Sequence, residues 1–161
     1  MTELDLDNIL ICYNAFPLFT QHVLDYNEHY YTDLGVKRLH SSEVFDVSDI
    51  EDGDYICVKT DFIKSGDFYR VVFPRIDKQF HLVTAMSSYS SPCGPGVSEM
   101  LESDRLLSWG AFHINSEYAE HPKVYPLPIG FTEPSRENGD QEMLRGMREN
   151  RIAFDDKSDT I

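Results

Sequence analysis

The sequence predicts an α/β fold: a Rossmann-like domain with a mostly parallel sheet flanked by helices. Short runs of β-forming residues alternate with segments of helical spacing, in the order strand, helix, strand, helix, strand. The strand runs are nearly continuous in apolar residues, as expected for strands buried on both faces. The 161 residues suit one domain large enough to bury a proper core.

Each element has its own signal. NILICY (8–13) is a short apolar run that fits a strand or a helix. Residues 18–34, LFTQHVLDYNEHYYTDL, mix aromatic and polar groups, and Gly35 suits the end of a helix there. SSEVFDVSDIEDGD (41–54) reads as a hydrophilic loop with Asp-Gly-Asp as its turn, and YICVKT (55–60) is the clearest early strand. In 62–76, FIKSGDFYRVVFPRI, Phe68, Val71 and Val72 share one helical face and Pro74 marks the end. FHLVTAM (80–86) is a second strong strand, followed by the loop SSYSSPCGPG (87–96). Ser98 is the expected N-cap of the next helix, with Glu99 and Glu102 near its start and Met100, Leu101 and Leu106 supplying contacts.

LLSWGAFHI (106–114) reads as a helix end plus a strand, and KVYPLPI (123–129) as the last strand. Pro126 and Pro128 cannot donate ladder hydrogen bonds, so that strand ends there or lies at an edge. The expected organisation is a Rossmann-like domain over 1–131 and then a linker, short helix and acidic tail over 132–161. In the second segment Met143 and Met147 share one side of a helix that Gly146 interrupts.

Composition narrows the function classes. Hydrophobic residues make up 41% and aromatics 12%, which argues against wholesale disorder. The formal net charge is −14; residues 1–64 hold 13 acids against 4 Lys and Arg. Such a surplus disfavours nucleic-acid phosphates and anionic membranes as partners, and it commonly serves solubility alone. No apolar run approaches the roughly 20 residues that span a bilayer. The acidic start, MTELDLDN, lacks the basic region of a secretory signal. Three widely spaced cysteines, Cys12, Cys57 and Cys93, suit a reducing compartment, so the expected location is cytoplasmic.

Familiar motifs are absent. There is no GxGxxG after a first strand, no GxxxxGK[ST] and no GxSxG. CGPGVS (93–98) is a Gly-rich loop opening a helix, but Pro95 removes an amide that would cradle a phosphate, which favours an ordinary turn. The histidines show no HExxH or CxxC partner spacing, so no metal site and no cofactor is expected. His22 and His29 lie one heptad apart, which on a helix is usually a solvated face.

Ligands in open parallel sheets bind beyond the carboxyl ends of the strands. Polar groups stand there: Lys59 and Asp61 after one strand, Ser87, Ser88 and Tyr89 after the next, His113 and Asn115 after the third. Each has a bland reading beside the chemical one. Asp61 precedes a helical segment and can simply cap it, Ser87 and Ser88 are turn formers, and His113 can be a satisfied core histidine.

The ordered set DGDYICVKTDFI (52–63), FHLVTAMSSYSSP (80–92), LLSWGAFHIN (106–115) and HPKVYPLPIGF (121–131) resembles the amino-terminal Rossmann-like half of exostosin-like and related GT-B glycosyltransferases. It covers about half the chain and rests on order and spacing. The resemblance implies an acceptor-side domain, with the nucleotide-sugar donor held by a second domain or subunit. In inverting members a carboxylate or histidine acts as general base on the acceptor hydroxyl, which assigns Asp61 that role, with His113 second. Lys59, Ser87, Ser88, Tyr89 and Asn115 would then bind substrate, and Tyr89 or Trp109 would stack on a sugar ring. Trp109, beside Leu106 and Leu107, equally suits the core. The expected ligand is a glycan or nucleotide sugar; a homodimer or a missing second domain would complete the site. The alternative is a non-catalytic carbohydrate-binding or protein-interaction domain on the same scaffold.

Overall fold

The computed structural model describes residues 20–25, 38–39, 45–128 and 146. The chain divides into two compact units, and the one that carries the sheet is Tyr13–Ile129; the other comprises Met1–Cys12 and Gly130–Ile161. The strands are β1 (His22–Leu24), β2 (Arg38–Leu39), β3 (Asp54–Lys59), β4 (Phe80–Ala85), β5 (Leu106–Ala111) and β6 (Val124–Pro126). All neighbouring pairs are parallel, in the order β2-β1-β3-β4-β5-β6. The chain steps one way from β1 to β2, then crosses back past β1 and continues outward from β3. This order makes the sheet a doubly wound, Rossmann-like α/β arrangement whose direction reverses between β1 and β3.

Alternation along the strands sorts the core into two faces. Ile56, Val58, Phe80, Leu82, Leu106 and Trp109 point to one side, where they pack with Phe62, Ile63, Phe68, Val72, Phe73, Val97, Met100 and Leu101 of the helical segments. Cys57, Val83 and Ala85 point to the other side with Val23, and all four are buried. Phe80 receives the edges of Phe68 and Phe73 at 6.5 and 6.2 Å, T-shaped pairs that add about 0.5–1.5 kcal/mol each beyond their buried area.

Several elements depart from the sequence reading. The helix expected over 62–76 is broken. Helix α1 (Thr60–Lys64) stops at Ser65–Gly66, where Gly66 takes φ of 80°, a conformation open to glycine. A single π turn (Phe68–Val72) and a 3₁₀ turn (Phe73–Arg75) containing Pro74 follow, so the proline does mark the end. Phe68 and Val72 still face the core. Helix α2 (Val97–Glu102) has Gly96, not Ser98, at its N-cap. Leu106 opens β5 rather than closing a helix, because it buries beside Phe80 as a strand residue.

The helix expected over 18–34 is overturned at His22–Leu24, which is strand β1; parallel pairing with β3 outweighs a helical pattern there. The shared helix face for His22 and His29 falls with it. His22 instead pairs with Asp54 at 2.9 Å, and His29 lies outside the described residues. The reading of 8–13 and the linker and helix over 132–161 also lie outside them. β6 is an edge strand ending at Pro126, which fits a residue unable to donate to a further strand. Among the described residues no helix is long and apolar enough to cross a membrane.

Candidate functional site at the carboxyl rim

Because β1, β3, β4 and β5 are adjacent and parallel, the residues just past their carboxyl ends share one rim. Asp25 follows β1 and is buried, 1% exposed. Lys59 ends β3, and its Nζ lies 3.7 Å from Asp25 Oδ1. This ion pair spans the strands between which the winding direction reverses, the place where doubly wound sheets bind ligands. The sequence reading named Lys59 but missed Asp25, which lies in a segment read as helix. The available signal was HVLD, two β-forming apolar residues running into a carboxylate.

Thr60 opens α1 and its hydroxyl donates to the Ala85 carbonyl at 3.3 Å, tying the end of β3 to the end of β4. Asp61, in the first turn of α1, is not its cap; Lys59 occupies that position and makes no side-chain capping bond. Asp61 Oδ2 is buried and finds no hydrogen-bond partner among the described residues. Burying a polar atom unpaired costs about 1–3 kcal/mol, so such an atom calls for an explanation in function. Just past β4, Met86 takes φ of 63°, a left-handed backbone that costs a residue with a Cβ about 1–2 kcal/mol. Strain of this kind gathers at functional loops.

The loop after β4 leans on both neighbours. Ser87 Oγ accepts from the Tyr89 amide at 3.4 Å, and Ser88 is exposed. Tyr89 is 42% exposed, with Lys64 Nζ 3.3 Å from its ring centroid. Cys93 is half-buried. Burial pushes its thiol pKa up, Asp61 adds to that and Lys64 opposes it, so the three groups share one electrostatic neighbourhood. A Cβ on Gly94, whose φ is 89°, would stand 2.6 Å from the Ile63 carbonyl oxygen. The glycine therefore lets the 93–96 turn lie directly on the end of α1, and the CGPG segment serves packing.

On the other side the loop is stitched to β5. The Ser91 amide donates to the His113 carbonyl at 2.7 Å, and the Asn115 amide to the Ser91 carbonyl at 3.1 Å. The Asn115 side chain is committed to the scaffold, since Nδ2 donates to the Pro92 carbonyl and Oδ1 accepts from the Glu117 amide. His113 is exposed just beyond β5. Trp109 cannot stack on a ligand: it is fully buried, and its Nε1 donates to Thr84 Oγ1 at 3.0 Å. The Thr84 hydroxyl donates in turn to Ser91 Oγ at 2.8 Å, so the tryptophan supports the rim loop from below.

The structure thus brings Lys59, Asp61, Ser87, Ser88, Tyr89 and His113 to one edge and adds Asp25, Lys64 and Cys93. Among the described residues, no group of three or more His, Cys, Asp and Glu side chains is placed to hold a metal ion. The rim carries carboxylate, amine, imidazole, thiol, hydroxyl and aromatic groups. No protein-family model, no curated protein and no solved structure matches this chain.

Proposed function

We propose that this rim is the acceptor side of a glycosyltransferase of the GT-B kind, which moves a sugar from a nucleotide-sugar donor to a glycan hydroxyl. The reading rests on one observation: Asp61 Oδ2, buried and unpartnered among the described residues, at the carboxyl rim of a Rossmann-like sheet. A sugar hydroxyl supplies the donor that this oxygen lacks. In the reaction Asp61 takes the hydroxyl proton while the acceptor oxygen attacks the anomeric carbon, and the nucleoside diphosphate leaves from the opposite side. Ser87, Ser88 and Lys59 bind the acceptor's other hydroxyls, and Tyr89 offers its exposed ring to a sugar face. His113 stands at the same edge as the alternative base. A second domain or subunit supplies the nucleotide-sugar site.

Turnover of a panel of nucleotide sugars with oligosaccharide acceptors, assayed together with candidate partner chains that supply a donor site, tests the reading, with saccharide binding to this chain followed in parallel by calorimetry. Asp61→Ala should abolish transfer while leaving the native circular dichroism intact. Saccharide binding that persists in that variant, with no transfer in either protein, would replace the enzyme by a binding domain. Absence of both binding and transfer in the native chain would defeat the proposal.

A further inference from the structure

A row of polar and aromatic side chains crosses β3 to β6 nearer the amino ends of the strands, on the face that carries Cys57 and Val83. Tyr55, His81 and Ser108 are register neighbours on β3, β4 and β5. The Tyr55 and His81 rings stack at 4.4 Å and 14°, which holds the imidazole plane. His81 Nδ1 lies 2.6 Å from Ser108 Oγ. Tyr125 on β6 completes the row through a side-chain hydrogen bond with Ser108.

Ser108 reaches this position through a bulge. Phe80 pairs with Leu106 but His81 pairs with Ser108, so Leu107 is skipped and left 37% exposed. In an unbroken ladder Leu107 would face His81. Bulges are uncommon in parallel pairs, and beside active sites they re-aim side chains. The row is also reachable: Tyr55 is 38% exposed, and His81, Ser108 and Tyr125 are half-buried. Burial pushes the His81 pKa below its ordinary value, so the imidazole is neutral at pH 7 and free to accept a proton. Burial pushes the Tyr125 phenol up, against the opposing hydrogen bond from Ser108, so the phenol keeps its proton at pH 7.

We propose that Ser108, His81 and Tyr125 form an acyl-transfer site for small esters, separate from the rim. Nucleophile and base stand within hydrogen-bonding reach, and the base is held by a third side chain, the arrangement that activates a serine. With the ring proton on Nε2, His81 Nδ1 takes the Ser108 hydroxyl proton as Oγ attacks the ester carbonyl carbon. The Oγ–C bond forms, and the carbonyl oxygen becomes an oxyanion that accepts from the Tyr125 hydroxyl. The ester C–O bond then breaks, and the leaving alkoxide takes the proton back from His81 and departs as an alcohol. Water, giving its proton to His81, hydrolyses acyl-Ser108 to a carboxylic acid and restores the serine. Tyr55, four residues before Lys59, puts this site about 13 Å from the rim along β3.

An alkyl fluorophosphonate tests the proposal on the full chain, because Ser108 attacks phosphorus, the P–F bond breaks and fluoride leaves. Peptide mass spectrometry of the native protein should place the adduct on Ser108, at a rate that falls on acidification below about pH 6.5 as His81 protonates. Ser108→Ala should lose the adduct, and His81→Gln should label about a hundredfold or more slowly, the usual contribution of a positioned base. No adduct on Ser108 in the native chain, or labelling that is indifferent to His81→Gln, would overturn the proposal. If either variant loses its native circular dichroism, the adduct map and pH profile of the native protein decide alone.

Discussion

Replacing Asp61 by alanine should make the protein more stable while removing the proposed activity. Asp61 Oδ2 is buried with no hydrogen-bond partner among the described residues, and relieving such an atom returns about 1–3 kcal/mol. Asp61 also lies in the first turn of α1, where a carboxylate interacts favourably with the amide ends; losing that costs about 0.3–1 kcal/mol. Alanine recovers up to about 0.7 kcal/mol of helix propensity. The balance is a gain of roughly 0.5–2 kcal/mol, or roughly 2–6 °C in melting temperature for a chain of this size. Urea unfolding followed by circular dichroism reads it as a raised midpoint at unchanged slope. A loss of more than about 1 kcal/mol at unchanged slope would refute the reasoning, because Asp61 would then be a satisfied structural group. A functional group kept at a cost in stability has the opposite signature.

Trp109→Ala should destabilise the fold by about 3–5 kcal/mol, read by the same unfolding assay, since it empties a fully buried site and strips the Thr84 hydroxyl of its donor. Gly94→Ala should cost about 1–3 kcal/mol and lower transfer activity, because a Cβ at φ of 89° meets the Ile63 carbonyl and lifts the 93–96 turn off α1. Acid should destabilise the protein in two steps. His81 has a folded pKa below its ordinary 6.5, so its contribution is full above about pH 6.5 and is lost as pH falls towards the folded value. Asp54 follows at lower pH. Burial pushes its carboxyl up, but the Glu51 amide and His22 outweigh burial, so the net pKa lies below the ordinary carboxylate value. Its contribution is present above about pH 3.8 and lost as pH falls through the folded value. In a denaturation series against pH, His81→Gln should erase the first step and leave the second.

The strands best read in the sequence are those with the densest apolar runs. YICVKT and FHLVTAM appear as β3 and β4 within a residue at each end, because they sit centrally and bury both faces. Strands β1 and β2 escaped notice at three and two residues, too short for any periodicity; pairing, not propensity, makes them strands. The 62–76 helix was half legible: Phe68 and Val72 do share the core face, but glycine at Gly66 turned one helix into three short pieces. Likewise Pro126 announced a strand end or an edge from its chemistry alone, and in the structure it ends β6 at the edge of the sheet.

The candidate site divides along the same line. Residues just past the strand ends could be named from order alone, because a parallel sheet carries them all to one edge. Asp25 could not, since its partnership with Lys59 depends on β1 lying beside β3 across a reversal in strand order. The Ser108–His81 contact was equally hidden, as it arises from a one-residue slip in the pairing of β4 with β5. The amino-acid sequence by itself determined the α/β class, the central strands and the polar rim, because apolar runs and breakers act through neighbours in the chain. Strand order, the bulge and the unpaired oxygen of Asp61 were decided by tertiary structure, because each depends on which distant segments come to lie side by side.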